Sequence, residues 1–381
     1  MTFKTSSYIV VIFIFFISQQ SNAQKFKNNF IWKYANSILN DTSEAHKATF
    51  IVYPTFASSP ETGLQLGASA LRLFYIKKDT LNRLSELQAF PFFTFKGQYG
   101  MILENAIYGN KDRWFFLGES KIQRFPLSYY GIGPNTSGKN PAHVDVFQLL
   151  LKQRVLKKIS KNFFFGPEVD YQLISNVRFN QPNDGSIMPI PIGGNGTQNL
   201  GLGFGFVYDS RHNVLNVRKG VFGEIAYLST IKGFVSEYQF GGVNLDFRSY
   251  HTVGKNNVIA WQVKGQFMNG DVPFNQLALL GGDRLMRGYY LGRYRDKNLI
   301  ASQVEFRMLP FPFSKRLGAV AFISAGAVAP TINSFQMNNI RVACGVGFRF
   351  LVFPKKDIYI RFDLGFTKEG LNLYIFNGEA F

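Results

Sequence analysis

From about residue 49 to its end the chain is a succession of segments, each roughly ten residues long, whose side chains alternate strictly between apolar and polar. Ile358, Ile360, Phe362, Leu364 and Phe366 share one parity, while Tyr359, Arg361, Asp363, Gly365 and Thr367 share the other. Val342, Cys344, Val346, Phe348 and Phe350 likewise oppose Arg341, Ala343, Gly345, Gly347 and Arg349. Ile300, Val304, Phe306 and Met308 oppose Gln303, Glu305 and Arg307. Period two is the signature of a strand with one apolar face. A chain built this way is all-β.

A soluble sandwich and a membrane barrel share this pattern with its faces exchanged. Length separates them: soluble strands average about five or six residues, and tilted membrane strands need about nine to eleven. These segments run long. The N-terminus agrees. Lys4, an apolar run over residues 8–17 and the small-x-small site Ser21-Asn22-Ala23 read as a signal peptide covering residues 1–23. Residues 24–48 are polar and irregular and read as a short periplasmic extension, with the barrel over 49–381. No later stretch reaches the roughly 20 apolar residues a membrane helix needs. The expected compartment is the outer membrane of a diderm bacterium. The single cysteine, Cys344, excludes an internal disulfide framework.

About sixteen strands are expected, near 49–56, 62–76, 84–95, 98–108, 113–122, 144–156, 162–177, 198–208, 220–230, 236–250, 256–268, 298–309, 317–328, 339–352, 357–367 and 371–381. Connections after odd strands include the long stretches 123–143, 178–197, 269–297 and 329–338, whereas those after even strands are mostly short. Long outer loops and short periplasmic turns are the outer-membrane arrangement. The last segment ends on Phe381, and a strand over 371–381 would close the barrel against the first.

One stretch breaks the alternation. Leu280 to Tyr290 is too rich in glycine and charge to be a strand and reads as a long inward-folded loop between strands eleven and twelve. Its Gly281-Gly282-x-x-x-Met286-Arg287-Gly288-Tyr289 resembles the arginine-glycine-aromatic loop of the BamA/TamA superfamily, also called bacterial surface antigens. Asp209, Arg211 and Gly220 resemble the family's Asp-x-Arg…Gly stretch, read as a turn lock; residues 321–326 resemble its strand thirteen; Gly378 and Phe381 resemble its C-terminal strand signal.

The resemblance implies a sixteen-stranded barrel in which the loop carrying Arg287 enters the lumen and is held by inward carboxylates. Parity places Glu305 inward, and Asp363 is a further inward acid. The family's second partner is an Asp on strand thirteen, where this chain has Ser324. Strand eight offers Gly201, Gly203 and Gly205 as a smooth inner wall for the loop. Residues 24–48 leave no room for a POTRA domain, so the implied form is one without them.

The implied function is assistance to the insertion or translocation of proteins at the outer membrane. Its partners would be unfolded outer-membrane or secreted proteins and a separate periplasmic protein. The alternative is a passive or gated pore, in which inward Lys264, Arg307, Arg341, Arg349 and Arg361 would favour anions. The formal charge of +18 points to anionic lipid head groups as partners and, in this compartment, not to nucleic acid. An enzyme is not expected: His46, His143, His212 and His251 are scattered, no nucleophile–base or metal-ligand spacing appears, and no cofactor or metal is implied.

Overall fold

The structure is a computed structural model, and it describes residues 49–78, 83–211, 216–354 and 357–381. The expected signal peptide over 1–23 and the expected extension over 24–48 lie outside the described residues, as do His46 and His212. The wall strands are β1 (Thr49–Ser59), β2 (Gly63–Phe74), β3 (Ser85–Thr94), β4 (Tyr99–Tyr108), β5 (Trp114–Arg124), β6 (Ala142–Ser160), β7 (Phe163–Asn180) and β8 (Thr197–Asp209). They continue as β9 (Gly220–Thr230), β10 (Phe240–Val253), β11 (Asn257–Gly270), β12 (Asn298–Met308), β13 (Leu317–Ala329), β14 (Arg341–Phe353), β15 (Ile358–Thr367) and β16 (Gly370–Asn377). Each pairs antiparallel with its sequence neighbours, and β16 meets β1, closing a sixteen-stranded barrel. A short piece, Leu127–Tyr129, prolongs β5 along β6, and a hairpin of Ala278–Leu280 with Tyr294–Asp296 lies within the loop between β11 and β12.

The faces divide as the alternation requires. On β8, Leu202, Phe204 and Phe206 are each at least half exposed on the outside, where lipid covers them. Inside, Arg287, Arg307, Arg349, Arg361, Glu305 and Asp363 are buried to within 2% of completeness. Such a polar interior is what a membrane barrel encloses, and charges this deep must be paired.

Closure is uneven. β1 pairs β2 from Thr49–Leu73 through Ser59–Gly63, and β15 pairs β16 from Ile360–Asn377 through Thr367–Gly370. Between β16 and β1 the described residues make one register pair, Ser58 with Ile375. The expected strand over 371–381 stops early: it leaves the wall after Asn377, where Gly378 takes φ +80. Residues 378–381 turn into the barrel instead of continuing along β1. The reason is electrostatic as well as conformational, because Glu379 is drawn to Arg349 inside.

Candidate functional site: the loop held in the lumen

Residues 271–297 leave β11 on the outer side and fold back into the barrel. The hairpin gives this loop a stem. Ala278, Leu280, Leu285, Met286, Tyr289 and Tyr294 form one buried cluster with Leu299, Ala301, Val328 and Ala343 of the wall. Two glycines allow the return. At Gly281 φ is +119, and a Cβ there would lie 2.0 Å from the carbonyl oxygen of Tyr290. Gly288 has φ +116 and passes so close to β15 that a Cβ on Gly365 would lie 2.6 Å from the Arg287 carbonyl carbon. Only glycine fits both requirements. The receiving wall is therefore β15, not the glycines of β8 as the sequence suggested: at Gly205 the inward space is taken by the Arg154 side chain.

At the tip, Arg287 donates from Nη1 to Asp363 Oδ2 at 2.6 Å and from Nη2 to Glu305 Oε1. The guanidinium carbon lies 3.6 Å from the ring centroid of Phe322 on β13. Ser324 takes no part, its Oγ donating instead to the Ala343 carbonyl at 3.3 Å. Arg287 Nε has no hydrogen-bond partner among the described residues. The loop backbone is stitched to β16 as well: Gly288 N–H donates to Tyr374 Oη at 2.9 Å, Tyr374 Oη donates to the Tyr289 carbonyl at 3.1 Å, and Asn372 Nδ2 donates to the Gly288 carbonyl at 2.6 Å.

The pair extends into a network of four arginines and four carboxylates. Glu305 Oε2 also accepts from Arg307 Nε at 2.7 Å. Asp363 accepts from Arg349 Nη1 at 2.5 Å and from Arg361 Nη1 at 3.1 Å. Arg361 Nη2 reaches Asp283 of the loop at 2.7 Å, and Arg349 Nε reaches Glu379 of the tail at 2.9 Å. Arg307 Nη2 donates to a main-chain oxygen of Phe381 at 3.0 Å. The four guanidinium groups are matched by the four side-chain carboxylates, which is how so many charges are tolerated away from water. The arginines that suggested an anion-preferring pore, Arg307, Arg349 and Arg361, are all consumed here. Arg341 sits higher, bonded to the Pro134 carbonyl and lying over Tyr294, while Lys264 is exposed in the lumen.

The profile of the Omp85 superfamily domain matches residues 122–366. The chain belongs to the Omp85 superfamily. Among solved structures, it is similar to BamA from Haemophilus ducreyi lacking POTRA domains 1–3, with a TM-score of 0.56 at 14% identity over 87% of this chain and 70% of that one. It is also similar to CdiB from Acinetobacter baumannii, TM-score 0.55 at 11% identity over 86% of this chain and 59% of that one, and to CdiB from Escherichia coli, TM-score 0.54 at 10% identity over 91% and 69%. No curated protein matches. This Omp85 barrel is an outer-membrane protein.

Elsewhere in the Omp85 barrel, the Asp209–Arg211 stretch forms a self-contained turn. Arg211 donates from Nε and Nη2 to the two oxygens of Asp209 at 3.0 and 2.9 Å, and its backbone N–H bonds the same carboxylate at 3.0 Å. The guanidinium lies over Phe222, 4.4 Å from the ring centroid, and Tyr108 Oη donates to Asp209 at 3.3 Å. Gly220 closes the turn with φ +115, where a Cβ would strike the Ser210 carbonyl. His143 is exposed at the start of β6, and His251 contacts only Ser249 Oγ, at 2.7 Å, among hydrogen-bonding side chains.

The sequence missed Asp283, Glu379 and Phe322. Asp283 sits inside the quoted loop motif, and its sign was the available clue, since an inward loop full of cations needs acids. Glu379 was assigned to a strand. Phe322 has the inward parity of β13, where one aromatic among small residues is itself a signal.

Proposed function

We propose that this Omp85 barrel assists the insertion or translocation of proteins at the outer membrane, with the loop carrying Arg287 bracing the lumen. The observation that carries the reading is the asymmetry of the β1–β16 junction. The strands on its C-terminal side are fastened to the loop through Glu305, Asp363, Asn372 and Tyr374. On the other side the β1–β2 turn meets the loop at Glu61, which accepts from the Leu291 N–H, while the loop's further bonds run to Glu104 of β4 and to Ser128, Gly133 and Thr136 beyond β5. Among the described residues one register pair joins the two edges. An edge strand offers unpaired backbone groups as a template for an incoming strand, and here β1 is the edge free to move. Pro54 within it has no N–H to lose. An unfolded outer-membrane or secreted protein is the substrate class such an edge suits, delivered by a separate periplasmic partner. The pairing of Arg307, Arg349 and Arg361 with carboxylates weighs against an anion-preferring pore.

The test locks the junction. Ser58 and Ile375 are register partners, close enough for a disulfide. In a Cys344→Ser background, Ser58→Cys with Ile375→Cys is oxidised and assayed in liposomes for acceleration of the folding of a small unfolded outer-membrane barrel. Loss of acceleration on oxidation and recovery on reduction supports the proposal. Undiminished acceleration by the locked barrel overturns it.

A further inference from the structure

Near the outer ends of β2 to β7, Pro91 interrupts the ladder between β2 and β3: pairing stops at Gly67–Phe92 and resumes at Ala70–Ala89. Proline has no N–H to offer there. The backbones close in so far that a Cβ on Gly67 would lie 2.5 Å from the Pro91 carbonyl oxygen. The dent leaves a groove of about 600 Å³ lined by Ala68, Pro91, Phe93, Met101, Ile122 and Phe147. Toward the outer rim it adjoins a second hollow of about 500 Å³, which shares Tyr99 and Phe147 and is otherwise lined by Arg124, Asp145, Val146, Asn176, Val177 and Arg178.

The register lines these residues up. Tyr99 is opposite Arg124, Arg124 opposite Phe147, and Asp145 opposite Arg178. Arg124 donates from Nε to Asp145 Oδ1 at 3.0 Å and from Nη2 to Asp145 Oδ2. The Arg178 side chain is exposed and makes no hydrogen bond or ion pair among the described residues. Two guanidinium groups and one carboxylate leave the rim with a single net positive charge, directly above an apolar groove.

We infer that this double hollow binds an anionic, phosphate-bearing lipid of the outer leaflet, its acyl chain in the groove and its phosphate on Arg178 and Arg124. Guanidinium and phosphate match in planar, charge-assisted hydrogen bonds. Each hollow falls within the range that small-molecule sites occupy, roughly 300–1,000 Å³. The site faces lipid, not lumen, so it is independent of how the barrel handles protein. A cation at the level where apolar wall gives way to polar rim meets head groups rather than hydrocarbon.

Native mass spectrometry tests this on the full protein equilibrated with equal amounts of dioleoyl phosphatidic acid and dioleoyl phosphatidylcholine, which share their chains. The wild type is expected to retain the phosphatidic acid several-fold over the phosphatidylcholine. Arg124→Gln with Arg178→Gln removes that preference, Arg124→Lys with Arg178→Lys keeps much of it, and Ala68→Phe reduces retention of both lipids by filling the groove. Folding of each variant is read from its heat-shifted band in gel electrophoresis. Equal retention of the two lipids by the wild type, or an unchanged preference in the double Gln variant, overturns the inference. So does displacement of the lipid by millimolar inorganic phosphate, which would show that the groove contributes nothing.

Discussion

Asp363 Oδ2 accepts a hydrogen bond from Arg287 Nη1 at 2.6 Å across 76 residues of sequence. That contact, with its counterpart to Glu305, makes Arg287 a link between two buried carboxylates on β12 and β15 that arrives from outside the wall. Removing one partner of a buried pair costs about 3–5 kcal/mol, since a buried charge is left unbalanced. Arg287→Ala is therefore expected to free the loop, exposing Arg284, Arg293 and Arg295 to trypsin added from outside and lowering the thermal unfolding midpoint. Arg287→Lys should fall between, because one ammonium cannot fork to two carboxylates. A loop that stays protease-resistant in Arg287→Ala would remove Arg287 from the role of brace.

Phe322 gives the second prediction. Its ring lies 3.6 Å from the guanidinium carbon of Arg287, in a site closed to water. A desolvated cation over an aromatic face is worth up to about 2 kcal/mol. Phe322→Leu keeps most of the apolar volume and loses the π face, so the unfolding midpoint should drop by a comparable amount in urea titrations. In the Arg287→Ala background the same substitution should cost distinctly less. Equal costs in both backgrounds would show that Phe322 packs the wall and does not hold the loop.

How much of this was legible in the sequence depends on what each feature rests on. The wall was legible because parity is a local property: β9 was expected over 220–230 and is found there. Glu305 could be placed inward by counting along one strand. Strand ends were harder: β7 outruns its expected span by three residues at its outer end, where Asn180 pairs with His143, and β6 outruns its own by two residues there and by four at its inner end. What counting could not supply is who meets whom across the lumen. Asp283 reaches Arg361 only because the loop turns back at Gly281 and Gly288. Glu379 reaches Arg349 because the chain leaves β16 at Gly378, and nothing in an alternating stretch ending on phenylalanine announces that bend. The lumen arginines looked like free charge for the same reason, their partners being distant in sequence.

Glu379 gives the third prediction. Its carboxylate takes Arg349 Nε at 2.9 Å while Arg349 keeps Asp363. Glu379→Gln replaces one charge-assisted contact with a neutral one, and a cost of roughly 1–3 kcal/mol is expected. The tail should then leave the lumen, carrying Phe381 away from Arg307 and Tyr250. A fluorophore attached in place of Ala380, 4% exposed in the folded state, would report this as increased quenching by aqueous iodide. Unchanged quenching would mean that the apolar contacts of Phe381 hold the tail alone.

The last prediction concerns pH and the loop's contact beside β1. Glu61 lies in the turn between β1 and β2, nearly buried, and accepts from the Leu291 N–H. Burial raises its carboxyl above the ordinary 4.5, and the nearby Asp283 adds to the shift. A carboxyl whose folded value lies above its unfolded one binds its proton more tightly in the closed structure. Its contribution to stability is thus fully present below the ordinary value and is lost as pH rises through the raised one. Mild acidification should tighten the contact between the β1–β2 turn and the loop, and a return toward neutral pH should loosen it. Hydrogen–deuterium exchange over residues 288–292, corrected for the intrinsic pH dependence of exchange, should show protection falling across that window in the wild type. In Glu61→Gln, which cannot titrate, protection should stay flat. A wild type as flat as the variant would mean that Glu61 does not set the strength of this contact.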